Sequence, residues 1–348
     1  MLNIGWFSTG RDKAAVQLLQ AVQQSISNGD ITGKISFVFS NREPGESQES
    51  DLFFELVRSY GIPLICLSHK KFKERLVRRA HPERDSSVAP LPQNDNKGRT
   101  QNDKVVCHPE RNEGSQNDKV VCHPERNEGS QNDSPSFVTL NEVKSLQPGT
   151  GNANNVASGE TKQAQEDWRL RYDREVYSRI RTFAPDLCIL AGYMLIVGEE
   201  LCRKYTMINL HPAPPGGPVG SWQEVIWKLI QDKADKAGAM MHLVTPELDR
   251  GPAIGYCLFP IKGKPFDQYW QSSDRNMLFN LIRQHELATE FPLIISTLKA
   301  LSQGEISIKN GKVIDAQGRS IDGYDLTEEI NRAVSPKRKS KGKSKNAK

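Results

Sequence analysis

Asn209, His211 and Asp249 carry the side chains in this chain best suited to acyl-transfer chemistry. They lie in Ile208-Asn209-Leu210-His211-Pro212 and in the stretch from His242 to Pro252, which contains Glu247-Leu248-Asp249-Arg250-Gly251. The first segment ends an apolar run and leads into a Pro/Gly-rich loop, and the second begins as an apolar run and breaks at Pro246. Each places polar groups at the end of an expected strand. A carboxamide there donates a hydrogen bond to a developing oxyanion. An imidazole donates or shuttles a proton, and a carboxylate orients the imidazole or takes a proton from the nucleophile.

The elements that must position these groups follow from hydrophobic periodicity. With a polar stretch over about 82–165 set aside, strands are expected over 4–7, 35–39, 63–67, 187–191, 207–210, 239–244 and 253–261. Helices are expected over 14–26, 51–59, 167–183, 198–205, 222–231 and 276–303, with a small hairpin over 306–315. Leu187 to Ala191 has no polar face, as suits a strand covered on both sides. The short Pro/Gly link between 239–244 and 253–261 suits an antiparallel pair. Alternating strands and helices predict an α/β fold with a mostly parallel central sheet and helices on both faces. Ligands bind such sheets outside the carboxyl ends of the strands.

The loop Ser8-Thr9-Gly10-Arg11-Asp12-Lys13 joins the first strand to the first helix. Free N–H groups and a positive dipole end at a helix start suit a phosphate, and Ser8, Thr9, Arg11 and Lys13 add donors. The loop matches neither the dinucleotide nor the Walker pattern, so phosphate binding is expected without either cofactor.

Composition bounds the remainder. The chain has 348 residues, and a hydrophobic fraction of 36% implies that part of it packs no core. No run of eighteen apolar residues is present, hence no membrane span is expected. The start, Met1-Leu2-Asn3-Ile4-Gly5-Trp6-Phe7, reads as a first strand and not as a signal peptide. Cysteines at 66, 107, 122, 188, 202 and 257 form no disulfide framework, which predicts a cytoplasmic location. The net charge of +5 comes from the end of the chain, because Ser335 to Lys348 hold seven Lys or Arg and no acid. That tail lacks interleaved aromatics, so a solvated, disordered tail is expected and nucleic-acid binding is not.

Gln101 to Ser115 reads QNDKVVCHPERNEGS, and Gln116 to Ser130 repeats it without change. The surrounding stretch has too little apolar area to offset its ordering entropy, so a disordered insertion is expected. Cys107-His108 and Cys122-His123 suggest zinc, but nothing around them would hold a tetrahedral site, and no metal is expected. The expected organisation is 1–78 as the N-terminal half of one domain and 79–165 as the insertion. The C-terminal half is expected over 166–320 and a basic disordered tail over 321–348.

The chain resembles the phosphoribosylglycinamide formyltransferase family. The resemblance rests on Asn209-Leu210-His211-Pro212, on His242 to Pro252, and on Ala184-Pro185-Asp186 running into Leu190-Ala191-Gly192-Tyr193-Met194. Ser40-Asn41-Arg42, Gln284-His285-Glu286 and Phe291-Pro292-Leu293 also fit, so that about 1–75 and 170–315 are covered. It implies a Rossmann-like formyltransferase fold interrupted by the insertion, and a folate-dependent enzyme of purine (IMP) biosynthesis. The implied reaction moves a formyl group from the co-substrate 10-formyltetrahydrofolate to the amine of 5'-phosphoribosylglycinamide, without a metal. On this resemblance Asn209, His211 and Asp249 are the catalytic trio, with Asp249 expected to keep His211 charged. Met194, Leu195, Ile196 and Val197 hold the folate together with Val244, Thr245 and Glu247, and Ser8 to Lys13 take the phosphate. His242 matches a family position to which no catalytic role attaches.

Three segments depart from the family pattern: Ala213 to Trp222, the position of Leu195, where an Arg is usual, and the first loop. The alternatives are another folate-dependent formyltransferase, a formyltetrahydrofolate hydrolase, a non-catalytic ligand-binding homologue, or an interaction module working through the repeat and tail. Hydrolase and tRNA-formylating enzymes each need a further terminal domain, which a first strand starting at Asn3 and a short C-terminal remainder are not expected to supply.

Overall fold

The computed structural model describes residues 1–80, 162–272 and 274–335. The chain divides into two units, one of 1–84 with 160–348 and one of 85–159. The second unit lies outside the described residues, and with it the tandem repeat and both Cys-His pairs. Residues 336–348 of the basic tail also lie outside them.

The first half runs β1 (Leu2–Phe7), α1 (Lys13–Ser27), β2 (Gly33–Ser40), α2 (Gln48–Ser59), β3 (Leu64–Cys66) and α3 (His69–Ala80). The second half opens with α4 (Lys162–Ile180), β4 (Leu187–Leu190), α5 (Glu199–Lys204), β5 (Met207–His211) and α6 (Trp222–Gln231). It continues with β6 (Lys236–Leu243), β7 (Ala253–Pro260), α7 (Asp267–Gln271) and α8 (Arg275–Gln303). The strands β8 (Ile306–Lys309), β9 (Lys312–Asp315), β10 (Ser320–Ile321) and β11 (Tyr324–Asp325) precede α9 (Thr327–Val334).

Local chemistry accounts for the elements nearest the site. Asp12 caps α1 by accepting from the Ala15 N–H, and Ala15, Leu18, Leu19 and Val22 form its buried stripe. Ser221 and Glu224 close a capping box at the start of α6. Asp274 caps α8, and Gly304, at φ 77°, ends it in the left-handed conformation that glycine adopts without a Cβ clash. All four residues of β4 are buried, as expected for a central strand.

The main sheet has the order β11-β7-β6-β5-β4-β1-β2-β3. Pairs β1–β2, β2–β3, β1–β4, β4–β5 and β7–β11 are parallel, whereas β5–β6 and β6–β7 are antiparallel. The expected mostly parallel α/β sheet is therefore present. The chain turns from one side of β1 to the other between β3 and β4, so the switch point lies between β1 and β4. No described helix is long and apolar enough to cross a membrane.

Three boundaries need correction. Residues 321–335 were expected to begin the disordered tail, but β11 adds a parallel edge strand to β7 and α9 packs beside it. Leu326 and Ile330, one helical turn apart, are buried there, and the Asn331 amide donates to the Leu258 carbonyl at 2.9 Å. The cations that suggested a tail lie beyond this helix. The other two corrections flank the insertion: α3 extends to Ala80 and α4 begins at Lys162, inside the limits assigned to it. These helices meet through Phe72 and Tyr172, ring centres 5.3 Å apart, and through Lys73 Nζ, 4.2 Å from the Trp168 ring centre.

Candidate active site

Register across the sheet gathers the reactive groups. Phe7 pairs with Leu190, Leu190 with Asn209, and Asn209 with His242, forming one row across β1, β4, β5 and β6. Directly paired residues share a face, and His211, two residues beyond Asn209, returns to that face. The Asn209 Nδ2 accordingly lies 3.2 Å from His242 Nε2. His242 Nδ1 lies 3.0 Å from the Leu243 carbonyl, to which it donates. His242 Nε2 thus faces both the Asn209 carboxamide and Asp249 Oδ1, and the contact with Asn209 orients the carboxamide and leaves its second N–H for a ligand.

Asp249 reaches the same place from the loop between β6 and β7. Gly251 lets that loop close, since a Cβ there would stand 1.7 Å from the Leu243 carbonyl oxygen. Asp249 itself has φ 52°, a left-handed conformation that costs an L-residue about 1 kcal/mol. Its Oδ2 is 3.7 Å from His211 Nδ1 and its Oδ1 is 3.6 Å from His242 Nε2. The Gly220 N–H donates to Oδ2 at 3.3 Å, and His211 Nε2 lies 3.1 Å from the Pro218 carbonyl. The atypical 213–222 loop is thus tied to both members of the His211–Asp249 pair.

The electrostatics differ from expectation in one respect. Burial pushes the His211 pKa down; the Pro218 carbonyl and Asp249 act upward and His242 downward, and the net shift is below the ordinary histidine value. His211 is only 3% exposed, so desolvation of the imidazolium outweighs the attraction of Asp249. The expectation that Asp249 keeps His211 charged is corrected to that extent: Asp249 acts upward, but burial outweighs it. For Asp249, burial acts upward, but hydrogen bonding and charge from His242, the charge of His211 and the Gly220 N–H bring its carboxyl below the usual range.

The trio opens into a cavity of about 450 Å³, within the range of small-molecule sites. Met194, Leu195, Ile196, Val197, Val244 and Thr245 line it, as does Leu248, whereas Glu247 does not. Of the first loop only Arg11 and Asp12 line it. Ser8 and Thr9 are buried and engaged within the protein: Ser8 Oγ accepts from Gly10 N, and Thr9 Oγ1 accepts from Met194 N at 3.0 Å. The Thr9 N–H also donates to the Gly192 carbonyl at 3.1 Å, so the loops after β1 and β4 are stitched together at the switch point.

Residues 111–263 match the family model described as formyl transferase. Over that stretch, less than half of the chain, it is similar to the formyl transferase family. It is 31% identical over 153 residues to a phosphoribosylglycinamide formyltransferase of Saccharomyces cerevisiae, covering 41% of this chain and 66% of that protein. It is 31% identical over 99 residues to the phosphoribosylglycinamide formyltransferase of Escherichia coli, covering 27% and 45% respectively. The aligned part thus spans less than two thirds of either relative. The structure of a phosphoribosylglycinamide formyltransferase from Coxiella burnetii in complex with CHES superposes with a TM-score of 0.53 at 16% identity, covering 93% of this chain and 98% of that one. At that identity the likeness is one of fold.

Trp222, Glu224, Arg283 and Glu290 also line the cavity and were not anticipated. A signal existed for part of this group. Arg283, Glu286 and Glu290 are spaced i, i+3, i+7 along α8 and therefore share a face, an unusual set of charges for a helix otherwise buried by apolar residues.

Proposed function

We propose that the chain transfers a formyl group from 10-formyltetrahydrofolate to the amine of 5'-phosphoribosylglycinamide, as a cytoplasmic enzyme of purine (IMP) biosynthesis and one-carbon metabolism. The observation that carries this reading is the convergence of Asn209, His211 and Asp249 on one cavity of suitable size. The cavity's mixed character supports two ligands. Leu190, Met194, Ile196, Val197, Val244 and Leu248 give it an apolar half fit for a flat ring system, and Arg11, Asp12, Glu224, Arg283 and Glu290 give it a charged half fit for a polar acceptor.

In this mechanism the acceptor amine attacks the formyl carbon, and the carbonyl oxygen gains negative charge. The free N–H of Asn209 and protonated His211 stabilise that oxygen, where preorganised donors contribute most. The developing oxyanion is itself a negative charge beside the imidazole. It adds to Asp249 and raises the His211 pKa when a proton is needed. The bond from the formyl carbon to the folate nitrogen then breaks, and the proton lost by the amine returns to that nitrogen. Asp249 assists this transfer through water. His211 Nε2 exchanges the Pro218 carbonyl for the substrate, so the 213–222 loop moves as the site fills.

The reading is tested by following tetrahydrofolate release. Release that requires 5'-phosphoribosylglycinamide, and that falls about 100-fold or more in His211→Ala, supports it. Equal release with water alone would assign a hydrolase instead.

A further inference from the structure

The charged half of the cavity contains a cation that the reaction scheme does not use. Arg283, on α8, lines the cavity with Arg11, Asp12, Trp222 and Glu290. Its Nη1 donates to Glu290 Oε1 at 2.8 Å and to Glu286 Oε2 at 3.3 Å. Its guanidinium carbon lies 4.4 Å from the centre of the Trp222 ring. Two carboxyls and an aromatic face therefore fix the plane of the guanidinium. Its Nε and Nη2 make no hydrogen bond among the described residues, although the side chain is only 18% exposed. A planar fork held still with unused donors is the geometry that binds a pair of phosphate or carboxylate oxygens.

Of the first loop only Arg11 and Asp12 line the cavity, whereas Ser8 and Thr9 are buried, and Asp12 caps α1. A carboxylate at that cap already offsets the positive end of the helix. Arg11 remains on the cavity, 3.9 Å from Asp12.

We propose that Arg283, held by Glu286, Glu290 and Trp222, anchors the phosphate of the acceptor amine and so selects which amine reaches His211. The inference rests on the formyl-transfer reading and assigns the residue that determines acceptor choice. Glu286 is fully buried, and its Oε1 has no hydrogen-bond partner. Burial raises both carboxyls, Glu286 well above the usual range, against the opposing charge of Arg283. Asp12 and Glu224 line the same cavity, so the attraction is local to the fork and is not a broad positive field.

The test compares 5'-phosphoribosylglycinamide with its dephosphorylated riboside as acceptors, in the wild type, Arg283→Met, Arg283→Lys and Glu290→Gln. A second arm measures thermal protection by ribose 5-phosphate against ribose. Arg283→Met is expected to raise KM for the phosphorylated acceptor about tenfold or more, the loss of a charge-assisted hydrogen bond. KM for the riboside and for the folate should stay the same. Arg283→Lys, which keeps the charge and loses the fork, should show a smaller rise, and Glu290→Gln the smallest. Ribose 5-phosphate should protect the wild type and not Arg283→Met. An unchanged acceptor KM in Arg283→Met, or in Arg283→Lys if the methionine variant does not fold, overturns the proposal. So does equal protection of wild type and variant. If the wild type formylates neither acceptor, the formyl-transfer reading fails, and ribose 5-phosphate protection still judges Arg283 on its own.

Discussion

His211 and Asp249 form a buried pair, with Nδ1 3.7 Å from Oδ2, and the other oxygen of Asp249 lies 3.6 Å from His242. One carboxylate thus serves two imidazoles that meet edge to face, ring centres 5.9 Å apart. Asp249→Asn removes the charge that acts upward on His211 and leaves the burial that acts downward. The His211 ring should titrate below the ordinary histidine value in the wild type and lower still in Asp249→Asn. Imidazole proton NMR against pH reads both, and an unchanged midpoint in the variant would separate the two residues electrostatically. Turnover of the variant should fall about 100-fold or more.

The same depression has a sign in stability. A folded pKa below the unfolded value means that the unfolded chain binds the proton first. The contribution of neutral His211 is complete above about pH 6.5 and is lost as the pH falls through the folded value. Thermal melts of His211→Asn should lack the part of the acid destabilisation seen in the wild type below that pH. Parallel melting curves for the two proteins would contradict this.

Asp173 shows the opposite sign. It is buried, its carboxylate accepts from the Gly198 N–H at 2.8 Å, and burial, against that bond, raises its pKa to about 7. A raised carboxyl favours the folded state when protonated, so stability falls as pH rises from the unfolded value of about 3.9 to about 7. Asp173→Asn should flatten that slope. Gly198→Ala should destabilise strongly and weaken folate binding, because a Cβ would stand 2.2 Å from Asp173 Oδ2 at the end of the Met194–Val197 loop. Unaltered melting of Gly198→Ala would show that the contact yields.

Asn209 and His242 should separate in kinetics. Asn209→Ala removes an oxyanion donor and should lower kcat about 100-fold, with little change in either KM. His242→Ala removes the partner that orients the carboxamide, at 3.2 Å, and should cost less. A larger loss in His242→Ala than in Asn209→Ala would move the chemistry to His242.

The segment 85–159 should be dispensable for formyl transfer. The helices on either side of it, α3 and α4, meet through Phe72, Tyr172, Lys73 and Trp168. Replacing 85–159 by a short Gly/Ser linker should leave turnover within about twofold, since the length of a connection alters stability little. Loss of turnover would instead support a functional segment.

The sheet was legible because its strands are apolar runs separated by polar turns: β4 carries only buried residues and β5 ends at His211. That Asn209, His211 and Asp249 come together was legible because their segments are short and chemically distinctive. β11 and α9 were missed because their apolar content is small, with Leu326 and Ile330 anchoring them, and because charge averaged over the C-terminus hides that pair. For the first loop, polar residues on a turn look the same whether they face a ligand or the protein: Ser8 and Thr9 are buried, and Arg11 and Asp12 line the cavity. Burial of His211, which sets its pKa, depends on contacts from the 213–222 loop that no spacing rule reveals.

The most direct measurement uses 10-formyltetrahydrofolate labelled with 13C at the formyl carbon, mixed with the chain and 5'-phosphoribosylglycinamide and followed by NMR. The account predicts that the label moves to a formamide signal on the acceptor, in step with tetrahydrofolate formation, and that the transfer is lost in His211→Ala. A label that stays on the folate, or that appears as formate at the same rate with and without the acceptor, would contradict it.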